Sequence, residues 1–423
     1  MPSGHLLISP CLEELGEPGC RYELGRARET GSPVIRPGIH PLATPAGREA
    51  LALAATQPDP DSLAAATAMR SQVAPDLAAA ALTQIGLRRA ARRKLGDRAD
   101  QLLFTRTGLE QASRAAVASH HATRFVASGV RRVIDFGCGV GTDALALVDA
   151  GLEVIAVESD PETAAVAQAN LGERAEVLLG DAVELAPELL DVAAGAFADP
   201  ARRTGRGRTW RTEDLSPPWS FVESLLTADR VSGVKLGPGL PHRMIPPGVE
   251  AEWIGDHGDT VEVGLWSGTG ALADGRVATL LPDHRLVVDR TMPQLPVGAV
   301  GSVIYEPHGA VIRAGGISQV GVDLGARLLD PDIAYLSADE LRPTPYATSF
   351  EVLDVRPYSE QDLRKWARDQ GIGTLEIKKR GLDLDPAVLR KRLKLRGSRS
   401  ATVILTRTPG GAVSVVVRRV GSR

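Results

Sequence analysis

The chain has 423 residues, 43% of them apolar and 24% charged, with a formal net charge of -3. That length predicts two or three domains with room for large buried cores. Three scattered cysteines (Cys11, Cys20 and Cys138) argue against a disulfide framework or a zinc site, and the 8 histidines show no metal-ligand spacing. No apolar run approaches the ~18 residues of a membrane span. The start Met-Pro-Ser-Gly-His lacks a basic-then-apolar signal pattern. The expectation is a cytoplasmic protein in a reducing setting, with no metal and no membrane partner.

Residues 1–42 are rich in Gly, Pro and charge without a sustained period, and read as a poorly ordered tail. Over 43–128 the composition turns to alanine and leucine, and helices are expected at 62–69, 76–95 and 107–128. Asp76 is the expected cap of the second, with Pro75 just before it. The run Arg88-Arg89-Ala90-Ala91-Arg92-Arg93-Lys94 makes that helix basic near its end, which suits the helix dipole as well as a polyanion. Over 129–282, apolar strands at 133–136, 154–158, 176–179, 195–198 and 233–236 alternate with helices at 142–150, 161–171 (Asp160 its cap and Pro161 its first residue) and 218–226. This spacing predicts a parallel sheet covered on both faces. Strands at 250–254, 260–267 and 276–281 should finish it in antiparallel fashion.

Residues 283–349 hold short apolar runs, many glycines and an expected helix at 325–329, and are assigned as a connecting region. Residues 350–423 then read as a compact βαβαββ unit whose last two strands meet across Thr408-Pro409-Gly410-Gly411. From Glu351 onward there are 17 Lys/Arg against 8 Asp/Glu, a balance of +9, while the remainder carries -12. A basic module follows an acidic body.

The chemistry is densest at Val133-Ile134-Asp135-Phe136-Gly137-Cys138-Gly139-Val140-Gly141-Thr142-Asp143, which reads as strand, turn and helix of a nucleotide-binding α/β domain. The dinucleotide fingerprint needs its last glycine one position later, where Thr142 stands, and Asp135 sits two residues before the first glycine. Both details favour S-adenosylmethionine over NAD or FAD. Gly137, Gly139 and Gly141 let the backbone approach the amino-acid end and the sulfonium. Asp135 is placed for the amino group, and Glu158, 23 residues on, for the ribose hydroxyls. Asp181, at the third strand tip, suits the adenine amino group. Each acid alone could be a cap or a solvated residue; together, on consecutive strand ends, they describe a cofactor site.

This combination resembles the class I S-adenosylmethionine-dependent methyltransferases over roughly residues 110–270. The last 70 or so residues look like the THUMP-like domain found behind such domains in bacterial proteins. The segment Leu102-Leu103-Phe104-Thr105-Arg106-Thr107-Gly108-Leu109-Glu110-Gln111-Ala112-Ser113 is similar to what precedes the core there. The resemblance implies a Rossmann-like class I sheet, an N-terminal helical region and a small C-terminal α+β THUMP-like domain. It also implies an RNA methyltransferase, with tRNA or rRNA as the expected partner class.

Amino-directed nucleic-acid methyltransferases commonly carry Asp/Asn-Pro-Pro-aromatic after the fourth strand. Here Asp199 and Pro200 match while Ala201 and Arg202 depart, although Arg202 could stack on a base or bind a phosphate. Asp199, Pro200 and Arg202 are the catalytic candidates, with Asp199 either holding an acceptor, acting as a base or serving the cofactor. Arg203, Arg206, Arg208 and Arg211, with Trp210, suit a polyanionic substrate or a solvated loop. Lys235, at the fifth strand tip, either faces the acceptor or pairs with a nearby acid. In the C-terminal module Lys378, Lys379 and Arg380, and Arg390, Lys391 and Arg392, are candidate contacts to an RNA backbone. Aromatic residues are sparse there, so shape is a better expectation than base stacking. No cysteine follows Cys138, which argues against methylation at pyrimidine C5 through a cysteine nucleophile. The leading expectation is transfer to a nitrogen of RNA. The alternatives are a methyltransferase for a small acidic metabolite, whose carboxylate the arginines bind, and a non-catalytic RNA-binding protein.

Overall fold

The computed structural model describes residues 35–202 and 214–421. Ahead of the α/β core stand α1 (Pro45–Ala55), α2 (Leu63–Arg70), α3 (Pro75–Leu95), α4 (Arg106–Gln111) and α5 (Ala115–Ala127). Thr44 and Ser62 cap the first two by accepting from Gly47 N and Ala65 N. Pro75 is itself the first residue of α3 and Asp76 lies in its first turn, so the expected Asp76 cap is corrected. A proline needs no helical N–H partner and its fixed φ suits that first position. The single helix expected over 107–128 is two, because Ser113 and Arg114 leave the helix to bond Asp143, Asp256 and Asp259. The tail expected over residues 1–42 is corrected at its C-terminal end, and residues 1–34 lie outside the described residues. Arg36 reaches Glu176 at 3.2 Å and Leu42 is buried at 1% exposure, so residues 36–42 are placed with the body.

The core continues with β1 (Arg132–Phe136), α6 (Thr142–Asp149), β2 (Glu153–Glu158), α7 (Pro161–Leu171), β3 (Glu176–Leu179), α8 (Ala182–Leu190) and β4 (Gly195–Ala198). After it come β5 (Ala201–Arg202), β6 (Leu215–Ser216), α9 (Trp219–Leu225), β7 (Val231–Leu236), β8 (Glu250–Asp256), β9 (Asp259–Ser267), β10 (Arg276–Leu280) and β11 (His284–Val287). The nine-stranded sheet has the order β11-β10-β8-β9-β7-β4-β1-β2-β3. β3, β2, β1, β4 and β7 run parallel, and β9 is reversed between β7 and β8. The antiparallel finish holds for β9, but β10 pairs with β8 in parallel, a departure from the expected meander. One sheet face packs against α5, α6 and α7 and the N-terminal helices; the other packs against α8 and α9. Apolar side chains cover both faces, as the near-continuous apolar strands require.

The stretch expected as a connector is built into a second sheet. It contains β12 (Val303–Pro307), α10 (Gly309–Ala314), α11 (Ile317–Leu324), β13 (Arg327–Asp330) and β14 (Ile333–Ala338). The helix lies before Gly325, a left-handed stop, and the residues read as helix at 325–329 turn into β13. The rest is β15 (Ala347–Pro357), α12 (Glu360–Asp369), β16 (Ile372–Lys379), α13 (Pro386–Leu393), β17 (Arg399–Thr408) and β18 (Gly411–Arg419). The seven strands run β13-β14-β12-β15-β18-β17-β16, with β12 paired antiparallel to β15. One ladder therefore crosses the expected boundary at residue 350. Sequence hid this because Gly-separated runs of four to six residues look alike as loops and as short strands.

Candidate active site

Strand order reverses at β1, which has β2 on one side and β4 on the other. In open parallel sheets the crevice at such a switch point, outside the strand C-termini, is where ligands bind. Gly137, Gly139 and Gly141 form the turn leaving β1 with φ of +77°, +57° and +84°, a region that favours glycine. Asp135, the fourth residue of β1, is 1% exposed, and neither of its carboxylate oxygens has a hydrogen-bond partner among the described residues. Burial, then Asp143 and Asp199 nearby, push its carboxyl well above the usual range, with Lys235 opposing. An orphaned buried acid beside a glycine turn is fitted to a cationic ligand group.

Glu158 ends β2 and already accepts from three backbone N–H groups, those of Gly139 (3.0 Å), Ser159 (2.8 Å) and Asp160 (2.9 Å). It thereby ties the glycine turn to the next strand tip. Asp181 follows β3 and caps α8, accepting from Val183 N at 2.7 Å, while remaining exposed. The three acids do arrive at neighbouring strand ends. Cys138, inside the turn, is buried, and burial pushes its thiol up, away from nucleophilic reactivity.

On the other side of the switch point, Asp199 and the buried Pro200 follow β4. A Cβ added at Gly137 would meet the Asp199 carbonyl at 3.4 Å, so the glycine turn and the end of β4 are in contact. The Asp199 carboxylate accepts from Lys235 Nζ at 2.5 Å. Burial raises its carboxyl while the ammonium pulls it down. Lys235 is itself held above its ordinary value, where burial is outweighed by Asp199, Asp143 and Glu262. The backbone of Arg202 lies in β5, opposite Leu215. Arg203, Arg206, Arg208, Trp210 and Arg211 lie outside the described residues.

A set of buried charges next to this edge went unnoticed in the sequence. His121 on α5 bridges Asp143 (2.9 Å) at the start of α6 and Glu262 (2.6 Å) on β9. Asp143 also accepts from Ser113 Oγ at 2.6 Å. His121 is pushed up to about 10, because its two acids outweigh burial, and Asp143 is held down to about 2. One turn further along α5, Arg124 bonds Glu250 (2.6 Å) and Glu252 (2.7 Å), both fully buried, and stacks 4.3 Å from the Trp266 ring. His120 adds a 2.9 Å contact to Glu252. The available signal was acids inside otherwise apolar strands, as in Glu250-Ala251-Glu252-Trp253 and Val261-Glu262-Val263. Buried acids require partners, and α5 supplies them.

The basic residues of the C-terminal sheet are not one surface. Lys378 bonds Glu306 on β12 at 2.7 Å, and Arg380 lies 3.8 Å from the same acid and 5.4 Å over the Tyr335 ring. Lys379 alternates to the other side, where its ammonium donates to Leu382 O at 3.3 Å. Arg390 donates to Leu375 O, and Arg392 lies 3.6 Å from Glu360. Lys391 and Lys394 are exposed and make no ion pair among the described residues. Period-2 alternation thus splits the Lys378-Lys379-Arg380 run, and Glu306, from the expected connecting region, pairs with Lys378 and approaches Arg380.

Fold and site together define an α/β enzyme with a nucleotide-type cofactor crevice. Residues 347–419 match a family model described as THUMP domain-like, and residues 37–91 match one described as a domain of unknown function. Two relatives from Mycobacterium tuberculosis (strains CDC 1551 / Oshkosh and H37Rv), each an uncharacterized S-adenosylmethionine-dependent methyltransferase, are 36% identical over 347 residues. The match covers 78% of this chain and 93% of each relative. A crystal structure from Porphyromonas gingivalis W83, provisionally described as a methyltransferase, superposes with a TM-score of 0.73 at 23% identity. It covers 88% of this chain and 99% of that one. The chain belongs to the S-adenosylmethionine-dependent methyltransferases, and S-adenosylmethionine is its cofactor. The orphaned Asp135 and the positive-φ glycines fit the cationic amino-acid end of that molecule. Among the described residues, no helix is long and apolar enough to cross a membrane.

Proposed function

We propose that this enzyme methylates a nitrogen of an RNA base, in tRNA or rRNA. The observation that supports the reading is the close approach of the glycine turn to the backbone of Asp199, where a Cβ added at Gly137 would meet the Asp199 carbonyl at 3.4 Å, with the Asp199 carboxylate bonded to Lys235. In this reading Asp135 takes the cofactor's ammonium, Glu158 the ribose hydroxyls and Asp181 the adenine amino group. The cofactor supplies an electrophilic methyl group on a sulfonium. Asp199 accepts a hydrogen bond from the acceptor N–H, orients the nitrogen lone pair toward the methyl carbon and receives the proton released as the N–C bond would form and the methyl C–S bond would break, with the neutral thioether as the leaving group. Pro200 stiffens the backbone behind that carboxylate, and Arg202 contacts the base or its phosphate.

The RNA assignment is supported by the THUMP-like match and by the +9 balance from Glu351 onward. Exposed Lys391 and Lys394, with Lys379, Arg390 and Arg392, are assigned to the RNA backbone, whereas Lys378 and Arg380 are engaged by Glu306. The test is mass spectrometry of nucleosides from total RNA of a strain lacking this gene. One N-methylated nucleoside should be missing, and the purified enzyme with labelled S-adenosylmethionine should restore it. An unchanged nucleoside profile overturns the RNA reading.

A further inference from the structure

We propose that Lys235 is a positioning residue for methyl transfer, holding the Asp199 carboxylate at the acceptor edge and linking it to the end of α4. The inference rests on the reading of Asp199 as the group that meets the acceptor. The last register pair between β4 and β7 is Ala198 with Val234, so the next residues, Asp199 and Lys235, emerge side by side. The ammonium lies 2.5 Å from Asp199 Oδ2 and 3.3 Å from Gln111 O. Two of its three N–H donors are thereby used. The Lys235 side chain is 13% exposed and that of Asp199 28%, so the acid is the reachable member and the lysine stands behind it.

The second contact gives the lysine its reach. Lys94 on α3 donates to the carbonyls of Leu109 (2.8 Å), Glu110 (2.6 Å) and Ala112 (2.9 Å), and Lys235 takes Gln111 between them. Four successive carbonyls at the end of a six-residue helix are thus held by two ammonium groups. The segment before the α/β core is joined in this way to the end of β4. Moving Lys235 would free both.

The surroundings explain why the partner is a cation. Asp199 is faced by Asp143 from α6 and Glu262 from β9, with Asp135 on the adjacent strand tip. Lys235 meets the same acids, and Lys94 is the nearby like charge. Without Lys235, Asp199 would keep as neighbours Asp143 and Glu262, whose charge His121 between them only partly offsets, and would hold its proton more tightly, and a protonated carboxyl cannot take a proton from the acceptor.

The test uses the full-length protein with aspartate carboxyl carbons labelled with 13C, the Asp199 resonance being identified by its loss in Asp199→Asn. In Lys235→Met, Asp199 should titrate about one pH unit or more above wild type, while Lys235→Arg should stay close to wild type. Transfer to RNA from the deletion strain should fall on the order of tenfold at pH 7 in Lys235→Met and recover toward pH 9. S-adenosylmethionine affinity by calorimetry should stay within about twofold, since Lys235 is assigned no cofactor contact. An unchanged Asp199 titration in Lys235→Met overturns the proposal, as does an equal loss of transfer at every pH. A wild-type enzyme inactive on that RNA overturns the RNA reading instead, and the titration then decides the role of Lys235.

Discussion

The α/β core and the C-terminal sheet both carry many charges, yet they use them differently. In the core, Arg124 and His121 are engaged by buried acids and Lys235 by the half-buried Asp199, so the count of charges says little about the surface. In the C-terminal sheet, cations outnumber acids by +9 from Glu351 onward, and part of that excess stays exposed on and after α13. Even there Glu306, which lies outside that stretch, neutralises Lys378 and approaches Arg380. A local charge balance read along the chain therefore overstates what a partner can use.

Breaking the buried side of this contrast should have the largest effect. Arg124→Met leaves Glu250 and Glu252 without their shared cation, and should cost about 3–5 kcal/mol in urea unfolding. Next comes Asp135→Asn, which breaks no hydrogen bond among the described residues. Because its folded carboxyl is raised, the ionised form costs stability above the unfolded value of 3.8, so the variant should melt at a higher temperature at pH 7. Calorimetry should show cofactor affinity reduced roughly tenfold to a hundredfold, the worth of a charged hydrogen bond.

The His121 bridge sharpens the comparison through pH. Its raised folded value means that its contribution is full below 6.5 and is lost as pH rises toward about 10. Asp143 behaves oppositely: its contribution is full above 3.8 and is lost as pH falls through about 2. The melting-temperature gap between wild type and His121→Gln should therefore shrink steadily from pH 6.5 to about 10. A gap that does not change over that range would mean the bridge is uncharged.

The smallest effect belongs to the exposed side. Lys391→Ala should reduce the salt slope of RNA binding by about 0.7–0.9 without altering stability. Lys378→Ala should leave that slope alone and loosen the sheet, since its ammonium serves Glu306. Equal effects of the two on RNA binding would erase the distinction between spent and available cations. Deleting residues 351–423 is a poor substitute for these point variants, because β12 and β15 would be separated and the apolar cluster around Ile304, Tyr335 and Phe350 opened.

Local signals determined much of this protein. Alternating apolar runs and helices, Asp160 before Pro161 and the glycine spacing after β1 depend on near neighbours, and the structure has the strands and helices where those signals lie. The acids at three strand ends follow from the same logic, since a strand tip is defined by its own sequence. Tertiary structure alone decided which charges meet. His121 with Glu262 and Lys378 with Glu306 are separated by 141 and 72 residues, and no local period links them. It also decided that residues 303–338 complete a sheet, because a short strand is recognisable only through the partner that satisfies its backbone.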